Sequence, residues 1–165
     1  MHNRAMPTPR CQLVDAEAPL FYHLVSRCVR RSYLCGFDSL SNKDYGHRKA
    51  WLEERLVTLS RCYAVQLYGY AILSNHFHLI VRYDPTAADS WSNEEVANRW
   101  EEAAACQSTS SRNNRESARK ARHEAMLRDP ERLARARAAL GSLSMFMKHL
   151  KQPIAWRANR EDGCS

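Results

Sequence analysis

The residues best equipped for chemistry sit in one short run, His76-Phe77-His78. If that run is a strand, the two imidazoles share a face, because side chains alternate sides with a period of two. Imidazole nitrogen is a good donor to divalent first-row metals, so the pair is a candidate metal site. The spacing alone is a weak signal, and two plain sheet histidines are the commoner outcome. Ile80 and Arg82 fall on the histidine side, while Phe77, Leu79 and Val81 make the other side apolar. The apolar side belongs under a covering layer, which leaves the histidines on the open side. A second group is basic. Arg27, Arg30 and Arg31 cluster at the end of an earlier apolar run. Guanidinium forks hold phosphates bidentately, so these three and Arg82 are candidate DNA contacts. A solvated charged loop is the plainer alternative.

The elements that must position these residues follow from periodicity and punctuation. Residues 20–29, LFYHLVSRCV, are rich in β-branched and aromatic types and read as a first strand. Arg30, Arg31, Gly36 and Asp38 mark a loop. Ser41-Asn42-Lys43-Asp44 offers capping side chains to a helix in which Trp51, Leu52, Leu56 and Leu59 form a buried stripe. Residues 63–73 and 76–83 read as two strands joined at Ser74-Asn75 and closed off by Asp84-Pro85. Ser92 and Glu95 fit a capping box. Residues 106–117 read as a loop, and residues 118–140 as helix broken at Asp129-Pro130. A last helix, LSMFMKHLKQ, carries the stripe Leu143, Phe146, Met147 and Leu150, and Pro153 is expected to kink or end it.

The order strand, helix, strand, strand, helices is α+β and begins as a ferredoxin-like split β-α-β sheet does. The first and third strands then lie side by side, and helices cover one face. Residues 20–165 form a single domain with a helical insertion at about 90–140, after a disordered lead-in over 1–19.

Composition narrows the function classes. The 165 residues suffice for one domain with a real core. A formal net charge of +7 favours polyanionic partners, nucleic acid first. No apolar run is long enough to span a bilayer, and MHNRAMPTPR lacks the apolar core of a secretory signal. The expected setting is cytoplasmic, with no membrane partner. None of the 6 cysteines stands in a Cys-x-x-Cys pair, which argues against zinc knuckles and redox motifs.

The strings FYHLVSRCVRRSYL, YAILSNHFHLIVRY and LSMFMKHLKQPIAWRANRE, in that order, closely resemble the REP-associated tyrosine transposases, part of the HUH class of single-strand nucleases. The matching residues are Tyr22, His23, Ser26, Arg27, Arg30 and Arg31, then Ser74, Asn75, His76, Phe77 and His78. The resemblance covers roughly residues 20–84 and 141–163. It implies DNA transposition on single-stranded DNA beside an imperfect hairpin. In that family a tyrosine hydroxyl attacks a phosphodiester and becomes linked to the 5′ phosphate, while the histidine pair holds a divalent metal, Mg or Mn. Manganese suits imidazole better. A polar side chain of the last helix completes the family's site, and Asn159 and Gln152 are the candidates here.

The chain departs from the family in two ways. The nucleophile's position matches Ile154, and no tyrosine follows Tyr83. The family's fourth strand has no counterpart here, as in a C-terminally truncated copy. Three strands are then expected, with the edge of the first open to pairing with a second copy. Metal-assisted cleavage and joining of hairpin-flanked single-stranded DNA is one function left open. A catalytically inactive hairpin-DNA-binding relative is another, and a metal-independent module with incidental histidines is a third. Tyr22, Tyr63, Tyr68, Tyr70 and Tyr83 fall in strands, and those reaching the open face could stack on bases, although packing is the commoner use. The arginines between 112 and 137 are interleaved with acids and read mostly as a solvated helix face.

Overall fold

The computed structural model describes residues 14, 18–27, 35–39, 42–105 and 112–163. In chain order the elements are β1 (Leu20–Arg27), β2 (Phe37–Asp38), β3 (Lys43–Asp44), α1 (His47–Cys62), β4 (Val65–Ile72) and β5 (His76–Tyr83). A 3-10 turn (Ala87–Ser90) leads to α2 (Asn93–Ala105), α3 (Arg112–Leu127), α4 (Pro130–Leu140) and α5 (Leu143–Glu161). The long strands form an antiparallel sheet in the order β1-β5-β4. The first and third long strands pair, as expected, and β5 lies between two strands joined through α1. Among the described residues the outer edge of β1 has no strand partner.

Alternation along β5 decides which way the sheet faces. Phe77, Leu79, Val81 and Tyr83 are buried, and they join Leu52, Leu56 and Leu59 of α1 and Phe146, Met147 and Leu150 of α5 in one core. Val96, Ala97, Met126, Leu133 and Leu140 carry that core on through α2, α3 and α4. A register slip of one residue would drive this whole set into water, so burial pins the register. The opposite face of the sheet stays open, with Phe21, Val25, Tyr68 and Ile80 exposed.

Three local features differ from the sequence expectation. Lys43 and Asp44 belong to the small β2–β3 hairpin rather than to a helix cap. Asp44 Oδ1 accepts from the Gly46 N–H at 2.8 Å, an Asx turn one step before the helix. Helix α3 begins at Arg112, inside the stretch read as a loop, and packs on α2.

The third difference is α5, which does not end at Pro153 but continues to Glu161. Proline lacks the N–H that would reach the carbonyl of His149 one turn earlier. Arg55 of α1 supplies the missing donor: its Nε lies 2.5 Å from that carbonyl, and the residue is 3% exposed. At the far end, buried Arg48 of α1 pairs with Glu161 and Asp162, which ties the start of α1 to the end of α5. The substitution for the proline's missing donor predicts coupling. Arg55→Met also removes a buried guanidinium whose Nη1 and Nη2 have no hydrogen-bond partner among the described residues, so its single effect has mixed sign. The double-mutant cycle with Pro153→Ala is the clean reading. Arg55→Met should cost roughly 1–3 kcal/mol more with Pro153 present than with alanine, whose N–H restores the helix bond. Additive denaturation free energies would rule this out.

Candidate functional site: the histidine face of the sheet

His76 and His78 share the open face of β5, as alternation requires, and a third imidazole joins them from β1. In the β1–β5 register Arg27 stands opposite His76, Val25 opposite His78 and His23 opposite Ile80. His23 Nε2 lies 2.8 Å from His78 Nδ1, with the two rings stacked at 5.0 Å. The His76 and His78 rings are also 5.0 Å apart, inclined at 70°. His76 Nδ1 is 2.6 Å from Asn75 Oδ1. A carboxamide oxygen only accepts, so His76 Nδ1 carries the proton and its Nε2 keeps a free lone pair. In the tautomer where His78 Nδ1–H donates to His23 Nε2, His78 Nε2 has its lone pair as well. Slight desolvation, then repulsion from His76 and His23, pushes the His78 pKa down. A neutral imidazole with an unprotonated Nε2 is the form that ligates metals.

Among the described residues no cluster of three or more His, Cys, Asp or Glu side chains is arranged to hold a metal ion. The protein's share of a metal site on this face would therefore be two imidazole nitrogens, with water and phosphate oxygens completing the shell. No Asp or Glu stands on the open face of the three long strands. A neutral, nitrogen-only donor pair fits manganese better than magnesium, which is usually held through carboxylates.

The other expected site residues are spread more widely. Arg27 is exposed at the end of β1, and Arg82 is half-buried farther along β5, opposite Phe21 and Gln66. Arg30 and Arg31 lie outside the described residues. Gln152 is half-buried and Asn159 exposed on α5, whose stripe packs on the Phe77 and Leu79 side of the sheet. Neither makes a hydrogen bond to an imidazole. Ile154 is 7% exposed and belongs to the core. The buried tyrosines are no replacement nucleophile. Tyr63 places its hydroxyl 2.5 Å from His149 Nδ1, and burial pushes its phenol pKa far up. Tyr83 donates to the Gly141 carbonyl at 2.7 Å. Tyr68 and Tyr70 are exposed.

Two features of this face escaped the sequence reading: the contact of His23 with His78, and a ring pair between Phe21 and Tyr68 at 5.0 Å. Alternation along β1 puts Phe21, His23, Val25 and Arg27 together. Only the pairing register tells which residues of β5 they meet.

Two histidines give the fold a pH dependence of known sign. Burial, then Arg55 and Lys148, pushes the His149 pKa down, and His78 shifts the same way. Both bind a proton less readily in the folded chain than in the unfolded one. Their contribution is fully present above the unfolded value of about 6.5 and is lost as pH falls through it toward the lowered folded values. The urea midpoint should therefore drop between about pH 7.5 and 5, and His149→Gln should shrink that drop. An equal drop in the variant would remove His149 from the account.

No protein-family model, curated protein sequence or solved structure gives a significant match to the chain.

Proposed function

We propose that the chain is a transposase-like DNA-binding protein of the HUH single-strand type, built on a ferredoxin-like sheet, whose open face takes a phosphate of single-stranded or hairpin DNA. The observation that supports this reading is the cluster of His23, His76 and His78 imidazoles on the open face of three strands that carry Arg27 and Arg82 and no Asp or Glu. The three sequence blocks similar to REP-associated transposases support it. A bound divalent ion, manganese or magnesium, would polarise a phosphate held there. Asn75 and His23 fix the ring orientations, and the arginines pair with neighbouring phosphates. Arg30 and Arg31 extend that basic set. A second copy pairing along the edge of β1, and a cytoplasmic setting, belong to the same proposal.

Binding without cutting is favoured over cleavage and joining by one observation: Ile154, at the position matching the family's nucleophile, is packed in the core. The test is incubation with hairpin-flanked single-stranded DNA and Mn²⁺, read by native and by denaturing gels. A complex on the native gel and no adduct on the denaturing gel is the expected result. An adduct that disappears in a Tyr68→Phe variant would restore the cleavage reading. Absence of any complex would end both.

A further inference from the structure

The open face carries a second feature, one that phosphate binding does not use. Phe21 of β1 and Tyr68 of β4 lean toward each other across the intervening β5, with ring centroids 5.0 Å apart and planes at 70°. They are 60% and 61% exposed, so most of each ring faces solvent. Tyr68 reaches this position through a bulge: the β4–β5 register shifts between Leu67 and Gly69, and Tyr68 has no partner on β5. Bulges re-aim a side chain and are concentrated next to functional sites. Gly69, the next residue, faces open space where a side chain would stand.

Two aromatic rings left in water at the middle of a sheet face are a standing invitation to a flat, apolar-faced ligand. The charges around them choose which one. Arg82 stands directly opposite Phe21, Arg27 lies at the far end of β1, and none of the three long strands carries an Asp or Glu. That environment repels cationic ligands and attracts anionic ones. A ring pair with Arg82 across from one ring, on strands without Asp or Glu, fits an unpaired base whose own phosphate reaches the arginine.

We propose that Phe21 and Tyr68 form a stacking platform for an unpaired base of single-stranded nucleic acid, adjoining the histidine cluster on the same sheet face. This rests on the reading of the chain as a DNA-binding protein and assigns the step that tells single-stranded from double-stranded DNA. A base inside a duplex has no free face to offer the rings, whereas a base beside a hairpin has two. The platform is indifferent to base identity, because every base presents a π-face.

The experiment uses the full chain and fluorescence anisotropy with two labelled single strands of equal length. One carries thymine bases throughout, and the other is abasic along its central part. The variants are Phe21→Leu, Tyr68→Leu and the double substitution, with thermal unfolding and sedimentation run alongside. The wild-type chain should prefer the base-bearing strand. The double variant should bind that strand about tenfold or more weakly while binding the abasic strand unchanged. Equal loss on both strands, or no loss on either, overturns the platform and leaves the DNA-binding reading standing. No binding of either strand by the wild-type chain defeats both. A wild-type dimer that falls apart in the double variant, with DNA affinity unchanged, would make the ring pair a contact between copies and overturn the proposal.

Discussion

Replacing His76 and His78 together with alanine should abolish Mn²⁺ binding, seen as the loss of titration heats at neutral pH. Imidazole nitrogens are the metal donors this face offers. His76 and His78 place their rings 5.0 Å apart on one face, and among the described residues of the three long strands no carboxylate can substitute for them. The supporting residues should act more weakly. His23→Ala and Asn75→Ala leave both ligands in place and remove only what orients them, so each should cost about 10–100-fold in affinity. Protons compete for the same atoms, so affinity should fall as the solution is acidified. The lowered pKa of His78 moves that fall to more acidic solution than an ordinary histidine would. All of these residues lie on the open face or at its turn, outside the core, so thermal unfolding of the metal-free variants should stay close to that of the parent. Unchanged heats in the double variant would dismiss the metal site. Loss of heats together with loss of cooperative unfolding would mean the histidines hold the sheet rather than a metal.

Much of the sheet was legible in the sequence because burial imposes a simple code. Phe77, Leu79 and Val81 alternate with His76, His78 and Ile80, and that alone assigns core and open faces. Half of the capping box at Ser92 was legible for the same local reason: the Glu95 N–H donates to Ser92 Oγ at 3.1 Å, while the Glu95 carboxylate pairs with Arg99. What could not be read depends on partners distant in sequence. Pro153 is a local helix breaker, and only Arg55, nearly a hundred positions earlier in the chain, lets the helix pass through it. His23 is one more strand residue until antiparallel pairing brings it to His78. The bulge that turns Tyr68 toward Phe21 leaves only a glycine as its trace, and glycine has many other uses. The helix-borne arginines divide similarly. Arg128 and Arg135 make the surface i,i+4 pairs expected from spacing, while Arg137 reaches the carbonyls of Ala88 and Trp91.

Truncating Phe146 to alanine should destabilise the chain by about 3–5 kcal/mol, whereas the same change at Phe21 should cost little or nothing. The two phenylalanines sit on opposite sides of one sheet. Phe146 is 0% exposed, packs edge-on against Tyr63 at 5.6 Å, and links α5 to the residues that follow α1. Its loss leaves a cavity where three elements meet, and the Tyr63–His149 hydrogen bond beside it loses its packing support. A few kcal/mol is a large share of a stability that for a domain of this size is about 5–15 kcal/mol. The urea midpoint should fall steeply, with the slope of the transition unchanged. Phe21 already has most of its ring in water, so truncation removes little buried surface. A loss below about 1 kcal/mol at Phe146, or above about 2 kcal/mol at Phe21, would invert the assignment of the two faces. The comparison separates fold from function within one residue type. The ring that the core needs can be removed only at a large cost in stability, and the ring that the core does not need is free to meet a ligand.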